Sequence, residues 1–274
     1  MTAASSRSST ATSVPRAVRA NPDRSNRFVF NSVADAYASG RPDMPAEAVL
    51  GGAEAVGLRR CARVLEIGAG GGQLTTILVQ LGFDVVALEP GEELRRRAAA
   101  RAPTASFRSD PFEAFESEGR FDAVFSSNAF HWLDPEVAYA KVADVADALV
   151  LIWNTPFIAD QELHRRVQVE VMHPHGSTFP IEEEDVRRWV DDESAIGREE
   201  LRACRRFEEP WWDIYERRLE YTPGRFVDLI GSMGAVAASP DRSQIMAELA
   251  QVLGPDRFDV VDLVYVVAAK AVER

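Results

Sequence analysis

The stretch RVLEIGAGGGQLTTIL, residues 63–78, decides the fold of this protein. Its first five residues are a short apolar run, which is typical of a strand buried inside a parallel sheet. After the glycine cluster, Leu74, Ile77 and Leu78 recur at helical spacing, and Gly82 follows where such a helix is expected to end. A glycine cluster between a strand and a helix is the place where a doubly wound sheet binds a nucleotide. The stretch therefore predicts an α/β nucleotide-binding sheet.

The alternation of strands and helices continues along the chain. Further strands are predicted at residues 84–89, 104–109, 121–127 and 149–153, and helices at 92–102 and 135–146. Short apolar strands that alternate with helices indicate right-handed βαβ units and a parallel sheet.

The pattern changes after residue 153. Helices are predicted over 158–172, 181–192, 223–233 and about 239–254, and strands over 205–219 and 259–271. Two late strands separated by helices predict an antiparallel pair that finishes the sheet, with a helical cap inserted. We expect a disordered leader at 1–27 and a single domain at 28–274. Within that domain, residues 28–155 are the predicted cofactor-binding core, 156–200 and 222–255 the cap, and 201–221 and 256–274 the closing strands.

The spacing of the glycines selects the ligand. A dinucleotide fingerprint that starts at Gly68 requires glycine at position 73, where Gln73 stands, and no Walker lysine follows the loop. The pattern that fits is E-x-G-x-G-x-G, formed by Glu66, Gly68, Gly70 and Gly72. The loop therefore disfavours a nicotinamide-dependent reductase and a phosphate-binding loop of the Walker type.

Acidic residues at the ends of the next two predicted strands favour an adenosine ligand. Glu89 lies 21 residues after Gly68, where a carboxylate can accept hydrogen bonds from both ribose hydroxyls. Asp110 follows the third strand and can bind an adenine amino group, with Phe112 beside the ring. The alternative is that Asp110 caps a short helix that starts at Pro111.

Four segments together resemble the class I S-adenosylmethionine-dependent methyltransferases. They are VLEIGAGGGQLT, VVALEP, RSDPFEAF and FDAVFSSNAFHWLDPE, in the family's order and spacing. The upstream segment VADAYASGRPDMP, residues 33–45, looks like the start of the trans-aconitate methyltransferase-like group, also known as methyltransferase type 11. The resemblance implies a Rossmann-like, mostly parallel seven-stranded sheet with an antiparallel last strand, and a cofactor that leaves as S-adenosylhomocysteine.

The resemblance also implies roles for individual residues. Gly68, Ala69 and Gly70 would line the methionine part of the cofactor, Glu89 would hold the ribose and Asp110 the adenine. Tyr37 and Arg41 would close over the cofactor and its carboxylate, although Arg41 is equally compatible with a surface position. The complete predicted cofactor set is Tyr37, Arg41, Glu66, Gly68, Ala69, Gly70, Gly72, Glu89, Pro90, Asp110, Pro111, Phe112, Asn128 and Ala129.

Few residues that would contact the methyl acceptor can be predicted from the sequence. His131 follows the fourth strand and is the candidate general base, because imidazole titrates near neutral pH. The alternative is that the His131-Trp132 pair only packs or lines the pocket. Trp132 and Trp153 complete the predicted acceptor pocket. A small-molecule acceptor is expected, either a carboxylate, a phenol, an amine or an activated carbon. The competing function is a cofactor-binding protein of this fold that transfers no methyl group.

Several other motifs are expected to be incidental. Residues 154–157, NTPF, resemble a motif of nucleic-acid and protein N-methyltransferases, but they follow the fifth strand instead of the fourth. His164, His173 and His175 lack the spacing of a metal site, so a solvated loop and no metal are expected. Trp211 and Trp212 should point to opposite faces of a strand, with one of them in the core.

Composition limits the partners. The 274 residues carry a net charge of −12, and the leader, with five arginines and one aspartate, contributes +4, which leaves −16 on the body. An acidic body disfavours nucleic acid. No run approaches the ~18–20 apolar residues of a membrane span. Cys61 and Cys204 are more typical of buried small side chains than of a disulfide, so a cytoplasmic location is expected. A monomer or homodimer is predicted.

Overall fold

The computed structural model of the chain describes residues 24–272, and it is built on one sheet. Within these residues seven strands lie in the order β3-β2-β1-β4-β5-β7-β6. They are β1 Arg63–Ile67, β2 Asp84–Leu88, β3 Ser106–Arg108, β4 Ala123–Ser127, β5 Ala148–Ile158, β6 Trp211–Tyr221 and β7 Phe258–Lys270. The first five are parallel, and β7 runs antiparallel to both β5 and β6. The predicted mixed sheet is confirmed. The predicted leader lies outside the described residues as far as residue 23.

The central strands β1, β4 and β5 are buried on both faces, as is usual in parallel sheets. Leu65, Ile67 and Leu151 pack into an apolar cluster on one face, whereas Val64 and Val150 pack into a second cluster on the other. Successive strand residues point to opposite faces, so continuous apolar runs fill both clusters.

Helices cover both faces of the sheet. They are α1 Ala34–Gly40, α2 Ala46–Ala55, α3 Gln73–Gln80, α4 Glu92–Arg101 and α5 Pro135–Val145. Local chemistry sets their ends. The Asp134 side chain accepts a hydrogen bond from the backbone N–H of Glu136 at the start of α5, and Gly82, with a φ of +88°, follows α3 in the left-handed region.

The cap consists of helices that precede and follow β6. They are α6 Gln161–Arg166, a π-helix Val167–Met172, α7 Glu183–Cys204, α8 Pro223–Gly231, α9 Gly234–Ala237 and α10 Arg242–Leu253. A third apolar cluster joins them to the sheet, with Val167, Phe226 and Leu249 packed near Ile158 and Val260. The helical cap and the antiparallel closing pair therefore share one core.

Several predicted boundaries were wrong. β5 does not end at Trp153 but continues to Ile158, because it pairs with β7 as far as the Ile158–Val260 register. The NTPF segment therefore lies inside a strand. The helix predicted over 181–192 extends to Cys204, and the strand predicted from 205 begins at Trp211.

Two predictions of burial were also wrong. Trp211 and Trp212 are 36% and 42% exposed, so neither is in the core. β6 is the edge strand of the sheet, and the guanidinium of Arg198 covers the Trp212 ring at 4.0 Å from its centroid. Cys61 is exposed and Cys204 half-buried, and both are free.

Candidate active site

A cavity of about 740 Å³ opens at the carboxyl ends of the central strands. The turns after β1, β2, β3 and β4 form one side, and the cap forms the other. This is where open α/β sheets bind ligands. The predicted site residues that line it are Tyr37, Arg41, Gly68, Gly70, Glu89, Pro90, Asp110, Pro111, Phe112, Asn128, Ala129, His131 and Trp132.

The remaining four predicted residues do not line this cavity. Glu66 and Ala69 line a small recess that shares Tyr37, Gly68 and Asn128 with it. Gly72 and Trp153 line neither space.

The glycine loop needs glycine because of close approaches as well as backbone conformation. Gly68 and Gly70 have φ values of +72° and +56°. A Cβ on Gly68 would lie 2.4 Å from the Cβ of Ala129, and one on Gly70 would lie 2.7 Å from the Tyr37 hydroxyl. The loop thus packs directly against the segment after β4 and against α1, and any ligand over it meets bare backbone.

Gly72 has a different role from the other two loop glycines. Its φ is +87° and it precedes α3 directly. A Cβ there would lie 3.0 Å from the Cα of Ala98 on α4. Gly72 therefore allows α3 to begin against α4, and its effect on a ligand is indirect.

Glu89 holds the glycine loop and faces the cavity. Its Oε2 accepts the backbone N–H of Gly70 and its Oε1 accepts that of Gly91, both at 2.8 Å. Burial raises the pKa of this carboxyl, and these two N–H groups lower it in part. Each carboxylate oxygen can accept a second hydrogen bond, so the side chain can receive ligand hydroxyls while it keeps the loop in place.

Glu66 is a buried acid at the end of β1. Its side chain is almost inaccessible, and its Oε2 has no hydrogen-bond partner within residues 24–272. The pKa of Glu66 is raised to about 7, chiefly by burial; hydrogen bonding with Thr75 lowers it in part, and the nearby Glu89 carboxylate contributes to the rise. An orphaned acceptor next to the glycine loop fits a ligand that carries a cationic donor such as an ammonium group.

Asp110 and Phe112 lie where an adenine ring was expected. Asp110 Oδ2 pairs with Arg108 Nε at 3.0 Å, and the residues after Pro111 form a turn instead of a helix. The alternative prediction, that Asp110 caps a helix, is therefore wrong, because no helix follows it. Phe112 is buried, and the Lys141 ammonium lies 5.1 Å from its ring centroid.

Tyr37 and Arg41 form a cover over the glycine loop. The guanidinium of Arg41 lies 5.4 Å from the Tyr37 ring centroid and is held by the hydroxyl and carbonyl oxygens of Ser232, which follows α8. Burial raises the pKa of the Tyr37 hydroxyl. Phe30, which the sequence reading missed, contacts both the Tyr37 and Trp132 rings edge-on. The N-terminal segment and the cap thus meet above the cavity.

A chain of buried hydrogen bonds supports the cavity wall. Asn128, with φ +51°, donates from Nδ2 to Asn154 Oδ1 at 2.6 Å, and Asn154 Nδ2 donates to Asp262 Oδ1 at 2.9 Å. Asp262 is completely buried and its Oδ2 accepts from Arg217, which also donates to the Asp43 carbonyl. Sequence reading discounted Asn154, but it lines the cavity.

Trp153 lies outside the cavity lining and holds the His131 ring by a hydrogen bond. Its indole N–H donates to His131 Nδ1 at 3.4 Å, and its ring stacks on Tyr265 with centroids 5.1 Å apart. An indole N–H can only donate, so Nδ1 is the acceptor and the neutral His131 ring carries its proton on Nε2. A ring in that tautomer is a hydrogen-bond donor at Nε2, which disfavours the general-base hypothesis for that nitrogen. Trp153 is therefore a support of the pocket and not part of its lining.

Two of the three histidines expected in a solvated loop, His164 and His175, instead belong to the cavity wall. His164 is buried, and the His175 side chain is only 12% exposed and bonds to Glu248. Both line the cavity, together with cap residues that belong to no recognisable sequence motif, such as Gln168, Phe179 and Trp189. Apolar periodicity places such residues inside a helix but cannot show that a cavity lies beneath them. In the described part of the chain, no group of three His, Cys, Asp or Glu side chains could hold a metal ion.

The central part of the chain is similar to known methyltransferases. Residues 65–148 match the protein family described as "Methyltransferase domain". An uncharacterized methyltransferase of Mycobacterium tuberculosis is 38% identical over 130 residues, which cover 46% of this chain and 52% of that protein. One from Bacillus mycoides is 32% identical over 118 residues, covering 41% and 55%. The chain thus spans about half the length of the curated relatives it matches.

Solved structures share the architecture over a longer range. A protein of Anaeromyxobacter dehalogenans assigned to the type II methyltransferases superposes with a TM-score of 0.59 at 19% identity, covering 84% of this chain and 97% of that one. A methyltransferase of Anabaena variabilis assigned to an antibiotic biosynthesis pathway gives 0.51 at 15% identity, covering 83% and 98%. At these identities the likeness shows the fold.

Residues 65–148 therefore match a methyltransferase domain, and the sheet around them has the Rossmann-like fold of solved methyltransferases. The finer trans-aconitate methyltransferase-like grouping stays a prediction.

Proposed function

We propose that the protein transfers a methyl group from S-adenosylmethionine to a small molecule enclosed by the cap. The observation that carries this proposal is one continuous cavity that joins the glycine loop, Glu89 and the cap. A volume of about 740 Å³ lies in the upper half of the roughly 300–1,000 Å³ range of ligand pockets, so a nucleoside cofactor leaves room for a small acceptor.

The residues fit the cofactor group by group. Glu89 would bind the ribose hydroxyls, Asp110 and Phe112 the adenine, and the orphaned Glu66 Oε2 the methionyl ammonium group. Arg41 would meet the carboxylate. The bound cofactor supplies an activated methyl group on a sulfonium.

The protein's own contribution to in-line transfer would be positioning and exclusion of water. Tyr37 and Phe30 cover one end of the cavity and the cap covers the other. His131, held by Trp153, would donate a hydrogen bond from Nε2 to an acceptor oxygen and so orient it. A cavity roofed by the cap favours a small acceptor over a nucleic acid, as does the acidic charge. No helix among the described residues is both long and apolar enough to cross a membrane. A cytoplasmic monomer or homodimer is part of the proposal.

Calorimetric titration with S-adenosylmethionine and S-adenosylhomocysteine tests the cofactor site. Both should bind the wild type, and Glu89→Gln should weaken binding by at least about tenfold, because an amide cannot accept both loop N–H groups and the ribose. Glu47→Gln on the exposed face of α2 is the matched control and should bind as the wild type does. Absence of binding by the wild type would overturn the proposal, and tight binding of NADH would favour a reductase.

Transfer itself needs a separate measurement. Acceptor-dependent formation of S-adenosylhomocysteine, followed by mass spectrometry over a panel of phenols, amines and acids, would support a methyltransferase. Cofactor binding without turnover over the whole panel would favour the alternative of a non-methylating binding protein.

A further inference from the structure

The part of the cavity under the cap has its own chemistry. We call it the cap chamber and define it by Phe157, His164, Gln168, Phe179, Trp189 and Phe226. These residues come from the end of β5, the helices on either side of the 173–182 segment, that segment itself, and α8. None belongs to the glycine loop or to the turns that follow β2, β3 and β4.

One wall of the cap chamber is a row of rings in edge-to-face contact. Phe157 meets His164 with centroids 5.9 Å apart, His164 meets Phe179 at 6.1 Å, and Phe179 meets Trp189 at 5.7 Å. Edge-to-face packing holds each ring against its neighbours, and all four rings border the cavity. The wall therefore suits a flat, apolar ligand.

The polar group of the chamber is a buried carboxamide. Gln168 is 7% exposed and lines the cavity, and its Oε1 has no hydrogen-bond partner within residues 24–272. An unpaired buried acceptor costs about 1–3 kcal/mol, so a ligand that donates to it gains correspondingly. Gln168 lies in the π-helix, a local irregularity that is frequent at functional sites.

His164, one turn before Gln168, has a defined protonation state. Its Nε2 lies 3.0 Å from the Pro180 carbonyl oxygen, which can only accept, so Nε2 carries the proton and Nδ1 does not. Burial lowers the pKa of the ring, which disfavours its positively charged form. The chamber thus presents acceptors on this helix and adds no positive charge.

The charge of the chamber argues against an anionic ligand. Among the described cap residues that line the cavity there is no arginine or lysine. His175 is the remaining cationic candidate, and its Nε2 lies 2.9 Å from Glu248 and its Nδ1 3.8 Å from Asp241. A carboxylate in the chamber would lose water without gaining a counter-charge.

We propose that the methyl acceptor is an uncharged aromatic compound that carries a hydroxyl or N–H group, bound with its ring on the aromatic wall and its donor on Gln168. This proposal rests on the proposed function, since the same cavity holds the cofactor. It removes carboxylates from the acceptor classes that the sequence left open.

Three matched probes test the chamber without turnover. β-Naphthol, β-methoxynaphthalene and β-naphthoate share one ring system and differ in having a donor, no donor or a negative charge. Each is titrated into the protein saturated with S-adenosylhomocysteine, and binding is followed by isothermal titration calorimetry. We expect β-naphthol to bind about tenfold or more tightly than either of the others.

Gln168→Met keeps the size of the side chain but removes its amide. It should weaken β-naphthol binding about tenfold and leave β-methoxynaphthalene binding unchanged, which also shows that the chamber remains folded. Gln251→Leu, an exposed glutamine on α10, is the matched control and should change neither.

The outcomes separate the two proposals. β-Naphthoate binding as tightly as β-naphthol, or equal loss of all three probes in Gln168→Met, would overturn the proposed acceptor class and leave the cofactor site intact. Failure of S-adenosylhomocysteine to bind in the preceding calorimetry would instead overturn the proposed function, and the same probes titrated into the unloaded protein would still decide the chamber's preference.

Discussion

Glu66 couples the cofactor site to pH. Its pKa is raised from 4.5 to about 7 in the folded chain because the carboxyl is buried. Between pH 4.5 and 7 the unfolded chain has lost this proton and the folded chain keeps it, so the free energy of unfolding falls as pH rises through this window and levels off above it. The full difference is about 3 kcal/mol, from about 1.4 kcal/mol per pKa unit.

We therefore expect Glu66→Gln to remove this pH dependence. Urea unfolding at pH 5 and pH 8 should show the variant gaining stability relative to the wild type at the higher pH. A wild type whose stability does not fall across this window, or a variant with an equal fall, would contradict the assignment. Glu54→Gln, on the exposed face of α2, serves as the control.

The tautomer of His131 is a second prediction at the level of one residue. Nitrogen NMR of the labelled protein should show Nδ1 unprotonated and Nε2 protonated at pH 8. Trp153→Phe removes the indole donor and should let the two tautomers mix. A proton on Nδ1 in the wild type would contradict the hydrogen bond from Trp153 and return His131 to the candidates for a base.

The position of a residue could be predicted from sequence where the backbone geometry of a turn requires that residue type. Gly68, Gly70 and Glu89 could be placed from spacing alone, because the turn after β1 must bring N–H groups to the acid after β2. Gln168 and Trp189 could not, because helical periodicity does not distinguish a side chain that packs from one that borders a cavity. The packing of Trp153 against Tyr265 depends on β7, more than a hundred positions away.

At the level of elements, Gly72 joins α3 to α4. Gly72→Ala places a Cβ at a φ of +87° and 3.0 Å from the backbone of Ala98, so we expect a loss of about 1–3 kcal/mol of unfolding free energy. Gly224→Ala in α8 meets open space and should be neutral or stabilising by up to about 1 kcal/mol. Urea unfolding of both variants measures the contrast, and equal effects would contradict the packing role.

The predicted ends of strands and helices were wrong where tertiary contacts extend an element beyond the residues whose local sequence favours it. The predicted strand ends at Trp153, and Asn154, Thr155 and Pro156 after it have the composition of a turn. The thirteen-residue strand β7 nevertheless pairs with β5 through this region. α7 likewise continues past its predicted end, since Leu201 is buried against the core.

At the level of the whole molecule, the Asp262–Arg217 ion pair joins the closing strands to the cavity wall. Asp262→Leu would leave a half-buried guanidinium without its partner, at a cost of about 3–5 kcal/mol. The double variant Asp262→Leu/Arg217→Leu removes both charges and should lose much less than the sum of the single changes. A double-mutant cycle by urea unfolding tests this, and strict additivity would show that the pair is not coupled.

The overall architecture was the most predictable level, because alternation of apolar strands and helices leaves few topologies. The acceptor was the least predictable, since the cap has no motif and its cavity exists only after three separate helical segments meet.

The strand order β5-β7-β6 has a practical consequence for exchanging specificity between relatives. The cap does not form a detachable insert, because β6 lies between its two halves in the sequence and at the sheet edge in space. A chimera that transplants only residues 159–210 would separate the π-helix that carries Gln168 from α10, which it contacts. A graft intended to move acceptor choice should therefore carry the whole of residues 159–257, including an edge strand, and its junctions belong in β5 and β7.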